Sequence, residues 1–126
     1  MENCYREYSL KLYNKERLKH KNDISAFFNN SSSVKRIYNS QYTVLLLENN
    51  RSYSRFAVTI KKNKTNSVGR NRAKRIVREI YRTQKDKIPA GYDYFIIVNR
   101  FDSYKLPSFN DCKRNLLKLF QKVLYI

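Results

Sequence analysis

The stretch RFAVTIKKNKTNSVGRNRAKRIVREIYR, residues 55–82, changes periodicity partway along and so joins two kinds of element. Its first part, extended back to Ser54, is rich in β-branched and aromatic residues and reads as a strand. From Ser67, a candidate N-cap, to about Thr83, the apolar residues Ala73, Ile76, Val77 and Ile80 recur at spacings of 3, 4 and 7. That spacing predicts a helix with one buried stripe. On the opposite side Arg70, Lys74, Arg78 and Arg82 form an i, i+4 ladder, with Asn71 and Arg75 beside it and Arg72 adding a further guanidinium. Three stacked like-charged pairs disfavour an isolated helix by roughly 1 kcal/mol unless an anion neutralises them. A solubilising face would mix signs, yet Glu79 is the only acid in this helix. The pattern therefore points to a polyanion, and arginine's planar fork suits bidentate contact with phosphates. Lys61, Lys62 and Lys64, interleaved with Asn63 and Asn66, crowd the connection just before the helix, where a folded RNA can dock.

Working outward, residues 42–48 (YTVLLLE) read as a second strand, and the turn-forming residues 49–52 between it and 54–60 predict a hairpin. Residues 34–38 form a candidate short extra strand. Upstream, Asn22 or Asp23 can cap a short helix in which Ile24, Phe27 and Phe28 fall at i, i+3 and i+4. Downstream, residues 92–99 (YDYFIIVN) have the continuous apolar character of a strand at a sheet centre. Ser108 and Asp111 then match capping-box spacing for a closing helix, whose Cys112, Leu116, Leu119, Phe120 and Val123 line one face. The order is α, two or three β, α, β, α in one domain spanning 17–126. Residues 1–16, without clear period, read as an N-terminal arm.

The 126 residues carry 27 Lys and Arg against 10 Asp and Glu, a net charge of +17. Residues 61–87 alone hold eleven bases and two acids, a net +9, so more than half of the surplus sits in one block. A single-sign block stores repulsion that an anionic partner relieves. With only two Gly, there is no glycine-rich loop to cradle a nucleotide. Cys4, Cys112 and the lone His20 provide no zinc-like spacing. No apolar run approaches a membrane span and no cysteine framework is present, so a reduced, cytoplasmic protein without a membrane partner is expected.

Residues 55–82 resemble the signature of the bacterial ribonuclease P protein subunit, which places an RFGISVSKK-type strand before an RNRxKRxxRExxR helix. Arg70, Asn71, Arg72, Lys74, Arg75, Arg78 and Glu79 match it without a gap, and Lys62, Asn66 and Val68 fit as well. The resemblance runs upstream through RLKHKNDISAFF and downstream through YDYFIIV and the last helix, covering roughly residues 17–123. It implies an α+β sandwich, α-β-β-β-α-β-α, with a left-handed βαβ crossover like the second domain of ribosomal protein S5. It implies a protein cofactor of a ribozyme that removes the 5′ leader of precursor tRNA. The partners are then one catalytic RNA per protein and precursor tRNA, with the catalytic centre and its Mg2+ in the RNA.

Carried over residue by residue, Lys61, Lys62, Lys64, Asn66, Arg70, Asn71, Arg72, Lys74, Arg75, Arg78 and Arg82 face the catalytic RNA, and Ile24, Phe28 and Tyr42 the leader. For Phe28 and Tyr42 base stacking and buried core both stand as readings, whereas Phe27 reads as core. The sequence departs from the family pattern at Ile24, where Phe is usual, at Leu45, where a strand aromatic often lies, and at Asn63 and Thr65.

Catalytic side chains are not expected in the chain itself. The ten acids are scattered, which leaves two-metal phosphodiester chemistry without ligands, and a single His cannot serve as both acid and base. A structural RNA binder of the ribosomal-protein type is the alternative. A helix-turn-helix DNA binder fits less well, because strands flank the basic helix.

Overall fold

Tyr92–Val98 is mostly apolar, with Asp93 its one charged residue, so it is most stable with a ladder on each side and a helical layer over each face. The computed structural model, which describes residues 14–18, 21–29, 33–60, 67–99 and 108–123, places it in that position. The elements are α1 (Lys21–Asn29), β1 (Lys35–Tyr38), β2 (Tyr42–Glu48), β3 (Arg55–Ile60), α2 (Ser67–Thr83), β4 (Tyr92–Val98) and α3 (Phe109–Lys122). Short 3-10 turns occur at Asn14–Glu16 and Lys85–Lys87. The sheet order is β1-β2-β4-β3, with β1–β2 and β2–β4 antiparallel and β3–β4 parallel through the α2 crossover. This is the α-β-β-β-α-β-α order of an α+β domain.

One local expectation fails. Residues 42–48 and 54–60 are not a hairpin, because β4 lies between them, pairing Tyr42 with Val98 on one side and Ile60 with Val98 on the other. The six residues separating β2 from β3 form a connection long enough to pass over the start of β4. There Asn49 N–H donates to the Gly91 carbonyl at 2.9 Å. Gly91 sits at φ +88°, which a side chain resists, and Asn50 at +56°, a region Asn tolerates. The hairpin that does form is β1–β2, so the short extra strand is real.

Side-chain alternation assigns the two faces of the sheet. Tyr42, Val44, Leu46, Phe56, Tyr94, Ile96 and Val98 point into the main core. Over them lie Ala73, Val77, Ile80 and Tyr81 of α2 and the whole stripe expected for α3, from Cys112 to Val123. Each such buried aliphatic side chain contributes about 1.5–3 kcal/mol relative to exposure. Tyr81, outside the expected α2 stripe, stacks on Phe56 at 4.1 Å and hydrogen-bonds Ser54. Helix α3 is capped as expected, Ser108 Oγ accepting from Asp111 N–H at 3.1 Å. On the other face Phe27, 3% exposed, docks α1 on Phe95 with ring centroids 5.7 Å apart. Phe27 is thus core, as expected.

One further boundary moves. Helix α1 starts at Lys21, so Asp23 sits within its first turn and reaches across to the sheet rather than capping. Glu16, at the end of the expected arm, is buried and paired with Lys85 at 2.8 Å. Leu18 N–H also donates to the Phe56 carbonyl at 2.8 Å. Partners some seventy positions away in the chain are invisible to local periodicity. Residues 1–13 lie outside the described residues.

Candidate nucleic-acid interface

Helix α2 turns Ala73, Val77 and Ile80 inward and leaves Arg70, Asn71, Arg72, Arg75 and Arg78 exposed, with Lys74 half-buried. A helix of this kind needs no cation for its own packing. Among the described residues no carboxylate forms an ion pair with Arg72, Lys74, Arg75 or Arg78. The last rung differs: Arg82 pairs with Glu79 one turn back. The hydrogen bond from Arg82 holds the Glu79 carboxyl below its usual value, and Glu79 raises Arg82 in turn. Arg82 is therefore satisfied within the helix, and among the described residues of α2 the positive charge without a carboxylate partner sits on Arg72, Lys74, Arg75 and Arg78. Lys61, Lys62, Lys64 and Asn66 lie outside the described residues, in the connection between β3 and α2.

A cleft of about 440 Å3 opens beside this helix. Ile24 of α1, Ala57 and Thr59 of β3 and Phe95 of β4 line it, and Arg17 and Arg78 place cations at it. Arg78 thus belongs both to the cationic side of α2 and to the cleft. Phe28 stands next to it, 60% exposed, its ring edge-on to Phe95 at 5.8 Å. Ile24 and Phe28 are therefore brought together at an accessible surface with an apolar floor and a cationic wall. Such a surface accepts a single-stranded polyanion, with rings for bases and guanidinium groups for phosphates.

Tyr42 does not join them. It is 1% exposed on the opposite face of the sheet, with Cys112 against its hydroxyl, and burial pushes its phenol well above the ordinary value. Alternation explains the error: Tyr42, Val44 and Leu46 share the core face, which leaves Thr43, Leu45 and Leu47 for the face of the cleft. Leu45 is in the same row as Phe95 and Ala57, so the β2 residue nearest the cleft is Leu45. The period-two pattern in YTVLLLE carried that signal.

What fixes α1 over the sheet is a second feature missed in the sequence. Arg55 Nε and Nη2 donate to both oxygens of buried Asp93, at 2.9 and 2.6 Å, and Nη1 reaches Asp23 of α1 at 3.3 Å. Asn49 donates to Asp93 Oδ1 at 2.8 Å. The hydrogen bond to Asp93 raises the Arg55 guanidinium further, so Arg55 keeps its charge. Its members come from four separate segments, β3, β4, α1 and the β2–β3 connection. Among the described residues no three His, Cys, Asp or Glu side chains converge as a metal-holding group, and no helix is long and apolar enough to cross a membrane.

Fold and surface define a class: a small basic α+β domain that turns one arginine-rich helix outward beside a cleft floored by its sheet. A family model for ribonuclease P matches residues 12–124. The ribonuclease P protein component of Petrotoga mobilis is 32% identical over 111 residues, covering 86% of this chain and 92% of that protein. That of Thermotoga maritima is 30% identical, again covering 86% and 92%. The solved structure of the Thermotoga maritima protein superposes with a TM-score of 0.75, covering 85% of this chain and 96% of that one. A Staphylococcus aureus ribonuclease P protein, 20% identical, shares the fold with a TM-score of 0.71. The chain belongs to the ribonuclease P family, as its protein component. Membership implies an RNA subunit as partner and a place in tRNA processing.

Proposed function

We propose that the cationic side of α2 docks on the catalytic RNA while the cleft between α1 and the sheet holds the single-stranded 5′ leader of precursor tRNA. The observation that carries this reading is the set Arg72, Lys74, Arg75 and Arg78, without ion pairs among the described residues and opposite the buried Ala73, Val77 and Ile80. Arg70 and Asn71 extend the same surface in this reading, and Lys61, Lys62, Lys64 and Asn66, which lie outside the described residues, are assigned to the same RNA contact from the sequence. Bringing a leader strand to a folded RNA sets phosphate against phosphate. A protein of charge +17 between the two lowers that repulsion without taking part in bond cleavage. The catalytic centre and its Mg2+ then lie in the RNA subunit, one protein serves one RNA, and the complex works in the cytoplasm.

The reading is tested by reconstituting the protein with a bacterial catalytic RNA and following precursor tRNA cleavage at low Mg2+. The protein is expected to accelerate cleavage and to favour leader-bearing over mature tRNA. Phe28→Ala is expected to reduce that preference by about tenfold, the loss of one stacked base at ~1–3 kcal/mol, with cleavage at high Mg2+ retained. Unchanged rate and affinity on adding the wild-type protein would remove the basis for the proposal.

A further inference from the structure

Exposed aromatic rings on a sheet face need a reason, and Tyr38 of β1 is as exposed as Phe28, at 60%. The register fixes where it points. Ile37 packs against the main core, so Arg36 and Tyr38 project from the opposite face, the face of the cleft. Arg36 continues the row Ala57, Phe95, Leu45, and Tyr38 the row Thr59, Ile97, Thr43. Neither row contains a carboxylate. The Arg36 guanidinium lies over one face of the Tyr38 ring, 4.7 Å from its centroid, which stacks a cation on an exposed aromatic. A charge on a short edge strand deters edge-to-edge pairing, but that purpose does not call for an exposed tyrosine.

We propose that Arg36 and Tyr38 form a second stacking station for single-stranded RNA, beyond the one at Phe28. This rests on the reading of the cleft as the leader site. Helix α2 packs on β3, at one edge of the sheet, and β1 is the other edge. A strand that leaves RNA bound at α2, passes Arg78 in the cleft and crosses Phe95 therefore heads toward β1. Two strand spacings, about 10 Å, separate Phe95 from Arg36; α1 packs on β2 between them, so the RNA strand passes over α1 at exposed Phe28 to reach Arg36. The station then takes bases of the leader farther from the cleavage point than those at Phe28. It reads them by stacking and charge, without base-specific hydrogen bonds.

The experiment uses the reconstituted holoenzyme and precursor tRNAs whose leaders are lengthened one nucleotide at a time. With wild-type protein, affinity is expected to rise in two steps, the second appearing only once the leader extends past the first station. Tyr38→Ala is expected to abolish the second step, weakening long-leader binding about tenfold and leaving the shortest leaders unaffected, and Arg36→Ala to reduce it. Tyr38→Phe is expected to keep it. If wild type gains with length and Tyr38→Ala gains equally, the station is refuted and the cleft reading stands. If wild type gains nothing from any leader, the cleft reading fails and the station fails with it. A loss on Tyr38→Ala that is equal for all leaders, including mature tRNA, would also overturn the proposal, assigning Tyr38 to contact with the catalytic RNA.

Discussion

Replacing Arg72, Arg75 and Arg78 together by Ala is expected to weaken binding to the catalytic RNA on the order of a hundredfold at moderate salt and to flatten its salt dependence. Each phosphate contact releases condensed counterions, so log K falls with log salt by about 0.7–0.9 per contact, and losing three should lower the slope by about 2 to 3. These side chains are exposed and bear no part of the core, so the variant should remain folded. Titrations at several salt concentrations give both numbers. A loss of affinity with an unchanged slope would mean the arginines act through something other than phosphate, and unchanged affinity would move the RNA to another face. Arg82→Ala is a useful control, since Glu79 already holds that guanidinium and a smaller effect is expected.

The other large effect is expected at the buried ion pair that ties α1 to the sheet. Asp93→Ala leaves the Arg55 side chain, only 13% exposed, without its bidentate partner, while Asp23 at 3.3 Å compensates in part. Breaking a buried pair from one side costs about 3–5 kcal/mol, a large share of the ~5–15 kcal/mol that holds a domain of this size together. Denaturant unfolding should show that loss, and Arg55→Met with Asp93→Leu should recover part of it, because no charge is then stranded. Because Arg55 also ties the first turn of α1, the single variant should lose leader preference more than affinity for the catalytic RNA. A stability change below about 1 kcal/mol would show that the clamp is replaceable by water.

How much of this was legible beforehand depended on the range of the interaction. The span of α2 and, apart from half-buried Ile76, its buried stripe, the cap and core face of α3 and the central place of β4 follow from periodicity within a dozen residues, and each is found. The β2–β3 hairpin fails because strand pairing is a competition, and β4, more apolar and later in the chain, wins both neighbours. Tyr42 fails for a different reason. An aromatic in a strand has two faces to choose from, and only the alternation with Val44 and Leu46 decides between them. Glu16 with Lys85, and Arg55 with Asp93 and Asp23, are invisible locally because their partners lie 32 to 69 positions apart. At the interface, the sequence showed which helix carries the charge. Coordinates were needed to see that Arg82 is held by Glu79 and that Arg78 also borders the cleft.

The central claim, that one side of α2 meets the catalytic RNA, is tested most directly by arginine-selective chemical modification, read residue by residue with mass spectrometry, in free protein and in its complex with catalytic RNA alone. Arg72, Arg75 and Arg78 should be protected by the RNA, while Arg36 on β1 and Arg114 on α3 should react as in the free protein. Equal reactivity of the α2 arginines in both states, or protection confined to Arg36 and Arg114, would contradict it.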